Sequence, residues 1–329
     1  MNLPLRTLAL LVIPPMMWAG NAVVGRMLVG TLPPVAMNAL RWGLVAVLLA
    51  PLAWRACRAP RRILARWPYL ALIGILGVGT YNALQYLALQ TSTPLNVTLI
   101  GASIPVWMML VGRVGFGQTL QARQLVGAAL SILGVLLVLA QGQWAVLRQV
   151  QLVPGDLLML LASLAWALYS WWLAQPPAHM RGEARPDWDW AEFLWVQVLF
   201  GGLWALGCSA VEASWIGAHN AHNVHNAPGV PAVSWWPQGW RIWAGLLFIA
   251  VGPSILAYRC WGLGVQAVGP NLAAFFINLT PVFAALWSAL FLGQWPRWYH
   301  PCALLLITAG IAVSSGFIGL RSARAHGGP

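Results

Sequence analysis

Apolar runs of about 20 residues, each long enough to cross the hydrocarbon core of a bilayer, recur along almost the whole chain. They lie near residues 7–28, 33–54, 68–89, 94–113, 121–140, 154–174, 190–212, 240–261, 270–292 and 300–320. This pattern predicts an all-α integral membrane protein with ten transmembrane helices. Composition agrees, since 60% of residues are hydrophobic and only 7% charged. Joins such as Thr31-Leu32-Pro33-Pro34 and Val153-Pro154-Gly155 punctuate the runs. The first run, which follows Arg6 and ends at Trp18-Ala19-Gly20, has the outline of a secretory signal peptide. No good small-residue cleavage site follows it, so it is read as the first span.

A formal charge of +12 invites a nucleic-acid reading. No basic, aromatic-interleaved soluble face is present to receive a phosphate backbone, so nucleic acid is not an expected partner. Topology accounts for the charge instead. Arg6, the group Arg55, Arg58, Arg61, Arg62 and Arg66, then Arg113, Arg123, Arg181, Arg185, Arg321 and Arg324 fall on one side of the spans. Arg26, Arg148, Arg241 and Arg297 flank the other. Positive charge is retained in the cytoplasm, so both termini are expected there, in a multi-pass protein of the cell inner membrane. Cys57, Cys208, Cys260 and Cys302 are scattered without C-x-x-C spacing, which points to neither a disulfide framework nor a zinc site.

A shift of 176 residues superimposes Pro94 on Pro270, Pro105 on Pro281, Gly117-Gln118 on Gly293-Gln294 and Gly134 on Gly310. Proline and glycine mark backbone geometry, so their shared register predicts a duplication. A weaker echo matches Trp18-Ala19 with Trp166-Ala167. The expected division is 1–145 and 146–329, five helices each. Five is odd, so the second copy enters the membrane from the opposite face and the repeats are inverted. Inverted repeats favour a carrier.

The segments WAGNAVVGR (18–26), ALRWGLVAVLLAP (39–51), GQTLQARQLVGAALSILGVLLV (117–138), GDLLMLLASLAWALYS (155–170) and NLTPVFAALWSALFLGQ (278–294) resemble the EamA-type units of the drug/metabolite transporter superfamily. The resemblance covers essentially the whole chain from first helix to tenth. It implies ten helices, cytoplasmic termini, a central cavity between the halves, and movement of small metabolites, often outward. The family commonly carries glutamate where this chain has Gln118 and Gln294, so no role resting on those glutamates transfers here.

Arg41 interrupts an apolar run eight residues past Pro33. That places it roughly 12 Å along a helix crossing a core about 30 Å thick. An arginine at such depth costs about 2.5–3.5 kcal/mol on insertion scales, so it is expected to face the bundle interior with a partner. The six acids, Asp156, Glu183, Asp187, Asp189, Glu192 and Glu212, all fall in loops or near predicted helix ends. Backbone carbonyls, amides such as Asn38, water, or an arriving anion are left to serve. Two readings stay open: a guanidinium fork for a substrate carboxylate or phosphate, or a structural arginine capping carbonyls or snorkelling outward.

Further candidates for substrate contact are Trp18 and Asn21 in helix 1, Tyr81 and Gln85 in helix 3 (beside Asn82 and Tyr86), Asn96 in helix 4, Trp166 and Tyr169 in helix 6, and Asn278 in helix 9. Buried amides in lipid equally serve as packing glue between helices, and aromatics as core filling. Pro105 and Pro281 remove amide donors opposite the carbonyls of Gly101 and Ile277, marking kinks that serve as gates or static bends. Pro14-Pro15 and Gly252-Pro253 allow similar breaks. Tryptophans such as Trp235, Trp236, Trp240, Trp295 and Trp298 read as an interface belt. HNAHNVHN (219–226) is read as a low-complexity loop rather than a metal site. The small-residue ridges at Gly127, Ser131, Gly134, Ala303 and Gly310 are read as packing within or between subunits, which leaves a homodimer open.

No titratable group other than His300 lies close to a helix core, so facilitated export or exchange is expected rather than carboxylate-driven proton antiport. The expected function is an inner-membrane exporter of small metabolites, amino acids or aromatic or anionic compounds foremost, with no cofactor. A membrane-embedded lipid-modifying enzyme would need metal-binding acids or a His/Asp pair on facing helices, and the acids are too sparse. A receptor or scaffold is disfavoured by the inverted duplication.

Overall fold

The computed structural model of the chain describes residues 3–28, 32–223 and 236–316, and among these every regular element is helical. Helices α1 (Leu5–Met27), α2 (Pro34–Leu49), α3 (Trp67–Thr91), α4 (Pro94–Gly101, then Ile104–Phe116) and α5 (Ala122–Leu139) make the first half. The second half holds α6 (Pro154–Ala174), α7 (Trp190–Asn223), α8 (Trp240–Val268), α9 (Pro270–Ile277, then Thr280–Leu292) and α10 (Tyr299–Ser314). Eight of the helical segments are long and apolar enough to span a bilayer, and α2 and α10 are shorter apolar helices.

Several expected boundaries move. The chain between α2 and α3, expected as a plain loop, forms two one-turn helices, Trp54–Arg58 and Pro60–Leu64. Helix α1 runs unbroken through Pro14 and Pro15, where a break was allowed. It packs against α8 and α9, and neighbouring helices compensate a proline inside a membrane helix. Helix α7 continues to Asn223 instead of ending near 212, so Glu212 lies within it rather than at its end. Its carboxylate accepts the backbone amides of Val35 (3.1 Å) and Ala36 (2.9 Å), capping the first turn of α2, whose N-cap Pro33 offers no side-chain acceptor. The histidine side chains of HNAHNVHN lie outside the described residues.

Backbone irregularities recur 176 residues apart. Helix α3 contains a π-helical stretch at Gly74–Thr80, and α8 contains one at Ala250–Leu256. The interruption of α4 after Gly101 matches that of α9 after Ile277, each just before its proline, Pro105 or Pro281. Both helices end on a left-handed glycine, Gly117 at φ 64° and Gly293 at φ 66°. Gln118 and Gln294 follow those glycines and bond back through their amides to the Gly112 and Ser288 carbonyls.

Packing follows the same scheme. Helix α1 lies against α8 and α9, as α6 lies against α3 and α4, while α2 pairs with α7 and α5 with α10. The α5–α10 contact uses the small-residue ridges within one chain. A Cβ added at Gly127 would meet the Gly310 carbonyl oxygen at 2.6 Å, and one at Gly310 would meet the Gly127 oxygen at 2.6 Å. Backbone against backbone cannot yield as a flexible side chain can. Gly127→Ala is therefore expected to destabilise the bundle by about 1–3 kcal/mol. Thermal unfolding in detergent followed by tryptophan fluorescence reads this directly, and an unchanged midpoint would contradict the contact.

Candidate functional site

The two π-helical stretches create the site, because each releases carbonyls toward the bundle centre. In α3 the amide of Tyr81 bonds to the Leu76 carbonyl rather than to Gly77, leaving the Gly77 oxygen without its helical donor. The Tyr258 hydroxyl donates to that oxygen at 2.6 Å. In α8 the amide of Ala257 bonds to Gly252, which leaves the Pro253 oxygen free for the Trp18 indole Nε1 at 3.2 Å. Pro253 has no amide hydrogen of its own, so the Ile249 carbonyl also loses its usual donor. The Ser254 hydroxyl takes that place at 2.8 Å.

Arg41 ties these groups together. It sits on the buried α2 stripe of Asn38, Arg41, Trp42 and Val45, spaced as one helix face, and is only 2% exposed. Its Nε donates to Ser254 Oγ at 2.6 Å and its NH1 to Asn82 Oδ1 at 3.1 Å. The Asn82 amide passes the chain on to the Tyr258 hydroxyl at 3.3 Å. One branch ends on the Gly77 carbonyl, freed where α3 slips into π register, and the other on the Ile249 carbonyl, whose i+4 residue is Pro253. The amide that serves Arg41 is thus Asn82, whereas neither amide atom of Asn38 has a partner among the described residues. Every partner of the guanidinium is neutral, and its NH2 makes no hydrogen bond among the described residues.

An aromatic assembly adjoins this cation. Trp18 and Trp166 meet edge to face at 5.2 Å between centroids, and Trp166 also packs against Tyr81 (5.0 Å), Tyr169 (5.2 Å), Trp261 (5.5 Å) and Tyr258 (5.6 Å). Trp42 reaches Tyr258 at 5.1 Å, so rings and guanidinium form one continuous cluster. The Tyr169 hydroxyl donates to Gln197 Oε1 at 3.2 Å, and Trp261 Nε1 donates to Ser170 Oγ at 3.1 Å. The indole nitrogens of Trp42 and Trp166 are buried without a partner among the described residues.

Of the residues named from sequence, Arg41, Trp18, Tyr81, Trp166 and Tyr169 come together here. Asn21 lies one turn beyond Trp18 with its Oδ1 buried and unpartnered, and Gln85 is half-buried one turn beyond Tyr81. Asn96 is engaged elsewhere: its amide donates to the Gln151 carbonyl (2.8 Å) and to Asp156 (3.0 Å), a carboxylate that also accepts from Ser92 and from the Val153 amide. Asn278 sits at the interruption of α9, 2% exposed, with both amide atoms unpartnered among the described residues. At that interruption the Ile277 carbonyl, opposite Pro281, is taken by the Thr280 hydroxyl at 2.6 Å. In α4 the Ser103 hydroxyl bonds the Ile100 carbonyl instead. Ser254, Tyr258, Trp42, Trp261 and Gln197 were not singled out from the sequence. The available signal was the 176-residue shift, which sets Asn82 against Tyr258 and Gly77 against Pro253. A second intramembrane arginine, Arg259 in α8, likewise escaped notice and stacks over Trp190 at 4.3 Å.

The family model for EamA-like transporters matches residues 5–140 and 153–316. The uncharacterized transporter YyaM of Bacillus subtilis is 23% identical over 88% of this chain and 87% of its own length. The aromatic amino acid exporter YddG of Ancylobacter novellus is 23% identical over 91% of this chain and 87% of its own. A solved crystal structure aligns with a TM-score of 0.68 at 20% identity, covering 94% of this chain and 96% of that one, which is a likeness of fold.

Proposed function

We propose, because the chain belongs to the EamA-like transporter family, that it exports small carboxylate-bearing metabolites, aromatic amino acids foremost, by alternating access. In this reading residues 1–145 and 146–329 are inverted five-helix repeats in the cell inner membrane, with both termini in the cytoplasm. The matched irregularities of α3 with α8 and of α4 with α9 support the duplication, and the arginine distribution supports the orientation. The observation that carries the substrate assignment is Arg41: a buried cation that, among the described residues, is joined only to neutral groups and keeps an unengaged NH2, beside a cluster of rings.

A guanidinium can present two parallel donors to a carboxylate, and the adjoining aromatic cluster has the chemistry that a substrate ring packs against. The relative named as an aromatic amino acid exporter agrees in chemistry. Asn38, Asn21 and the indole hydrogens of Trp42 and Trp166, unpartnered among the described residues, supply further polar contacts, because buried polar groups ordinarily find a protein, water or ligand partner.

The test is efflux of labelled solutes from proteoliposomes holding the purified protein. Aromatic amino acids are expected to leave faster than sugars and aliphatic cations, at a rate unaffected by an imposed pH gradient at zero membrane potential. Efflux of none of the panel above protein-free vesicles would overturn the transport reading. Efflux that tracks the pH gradient would overturn exchange or facilitated export in favour of proton coupling.

A further inference from the structure

The segment joining α2 to α3 carries a second basic site, well apart from Arg41. Its two one-turn helices, Trp54–Arg58 and Pro60–Leu64, and the turn that follows hold Arg55, Arg58, Arg61, Arg62 and Arg66. A cavity of about 250 Å³ opens beside them, lined by Trp54, Arg55, Arg58, Arg62, Trp188 and Glu192 along with Ala59 and Asp187.

The acids facing this cavity are already matched. Glu192 is fully buried and accepts two hydrogen bonds from Arg55, Nε at 3.1 Å and NH2 at 3.0 Å, and a third from the Asp189 amide. The hydrogen bond and charge of Glu192 raise the Arg55 pKa above its ordinary value, so this arginine stays a cation. Asp187 accepts from Arg62 NH1 at 2.6 Å. Arg66 spends its donors on the carbonyls of His179, Arg62 and Ala184. Arg58 lies over the Trp54 ring at 4.7 Å and pairs with no carboxylate among the described residues, and neither does Arg61. Three guanidinium groups, Arg55, Arg58 and Arg62, line the hollow against the two carboxylates of Glu192 and Asp187, which leaves Arg58 as its uncompensated cation among the described residues, with Arg61 close by in sequence.

The apolar side chains here fix the depth. Leu52, Trp54, Leu64 and Trp67 are each more than half exposed, flanking the arginines at the ends of two membrane helices. Tryptophan at such a position marks the headgroup layer, and basic hollows between membrane helices take phosphate headgroups. We propose that this hollow binds the headgroup of an anionic phospholipid, its phosphodiester on Arg58 with Arg61 beside it. The acyl chains lie along the exposed leucines. Such a lipid would brace the α2–α3 turn and, through Arg55–Glu192, the start of α7.

The test uses the full-length protein in nanodiscs and native mass spectrometry, with phosphatidylglycerol and phosphatidylcholine as probes. Wild type is expected to retain phosphatidylglycerol preferentially. Each of Arg58→Gln and Arg61→Gln should weaken that retention about fivefold, while Arg113→Gln, at the exposed end of α4, leaves it unchanged. Equal losses in all three variants would reduce the effect to diffuse surface attraction and overturn the site. Equal retention of the two lipids would also overturn it. Displacement of phosphatidylglycerol by millimolar glycerol phosphate or inorganic phosphate would assign the hollow to a soluble phosphate instead. None of these readouts depends on solute transport, so the lipid site and the export proposal can fail separately.

Discussion

Arg41→Gln is expected to leave a folded protein whose efflux of carboxylate-bearing substrates falls about 10- to 100-fold. Hydrogen bonds to a charged group contribute about 1.5–3 kcal/mol, and each 1.4 kcal/mol is a factor of ten. Glutamine can still donate to Asn82 Oδ1 or Ser254 Oγ, the two neutral acceptors that Arg41 uses, so the link between the π-helical stretches is shortened rather than emptied. The substitution also removes a buried cation that costs about 2.5–3.5 kcal/mol to insert, so thermal stability should hold or rise. A purely structural arginine behaves differently. Its loss would lower the unfolding midpoint and slow every substrate alike, including those without an anionic group.

Trp166→Ala is expected to destabilise the protein by about 3–5 kcal/mol, the range for emptying a large buried aromatic site. The ring is 2% exposed and contacts Trp18, Tyr81, Tyr169, Tyr258 and Trp261, side chains drawn from α1, α3, α6 and α8. The surrounding rings are themselves pinned: Trp18 on the Pro253 carbonyl, Tyr258 on Gly77, Tyr169 on Gln197. They cannot collapse into the space without breaking those bonds, so the cavity term adds to the lost transfer term. Trp166→Phe keeps most of the volume and gives up an indole hydrogen with no partner among the described residues, so it should cost far less. Chemical or thermal unfolding in detergent checks both, and an Ala variant as stable as wild type would mean that the assembly is loosely packed.

The all-helical, membrane-spanning character was readable because a bilayer imposes length and apolarity on every spanning helix, and proline and glycine leave the register of the matched irregularities visible. Arg41 stood out for a related reason: a permanent cation in an apolar run is costly enough to demand an interior position. Its partners were harder to see. Ser254 matters only because Pro253 frees a carbonyl one turn earlier, and Tyr258 only because α3 slips into π register at Gly77. Such slips leave no trace in a 3.6-residue periodicity, and they turn otherwise unremarkable hydroxyls into links of a network. Asn96 shows the reverse problem. Its stripe position looked the same as that of Asn82, yet tertiary contact with Asp156 holds it at the start of α6. Pro14 and Pro15 look like a break in sequence, but α1 is packed by neighbours that sustain it.

The pairing of the Arg41 guanidinium with a substrate carboxylate is tested most directly by a thermodynamic cycle. Equilibrium binding of a labelled aromatic amino acid and of its carboxamide would be measured on wild type and on Arg41→Gln in the same nanodiscs. Removing the carboxylate is expected to weaken binding at least tenfold in wild type and to change it little in the variant. Equal losses on both proteins would mean that the two charges never meet, and the assignment of Arg41 to the substrate would be wrong.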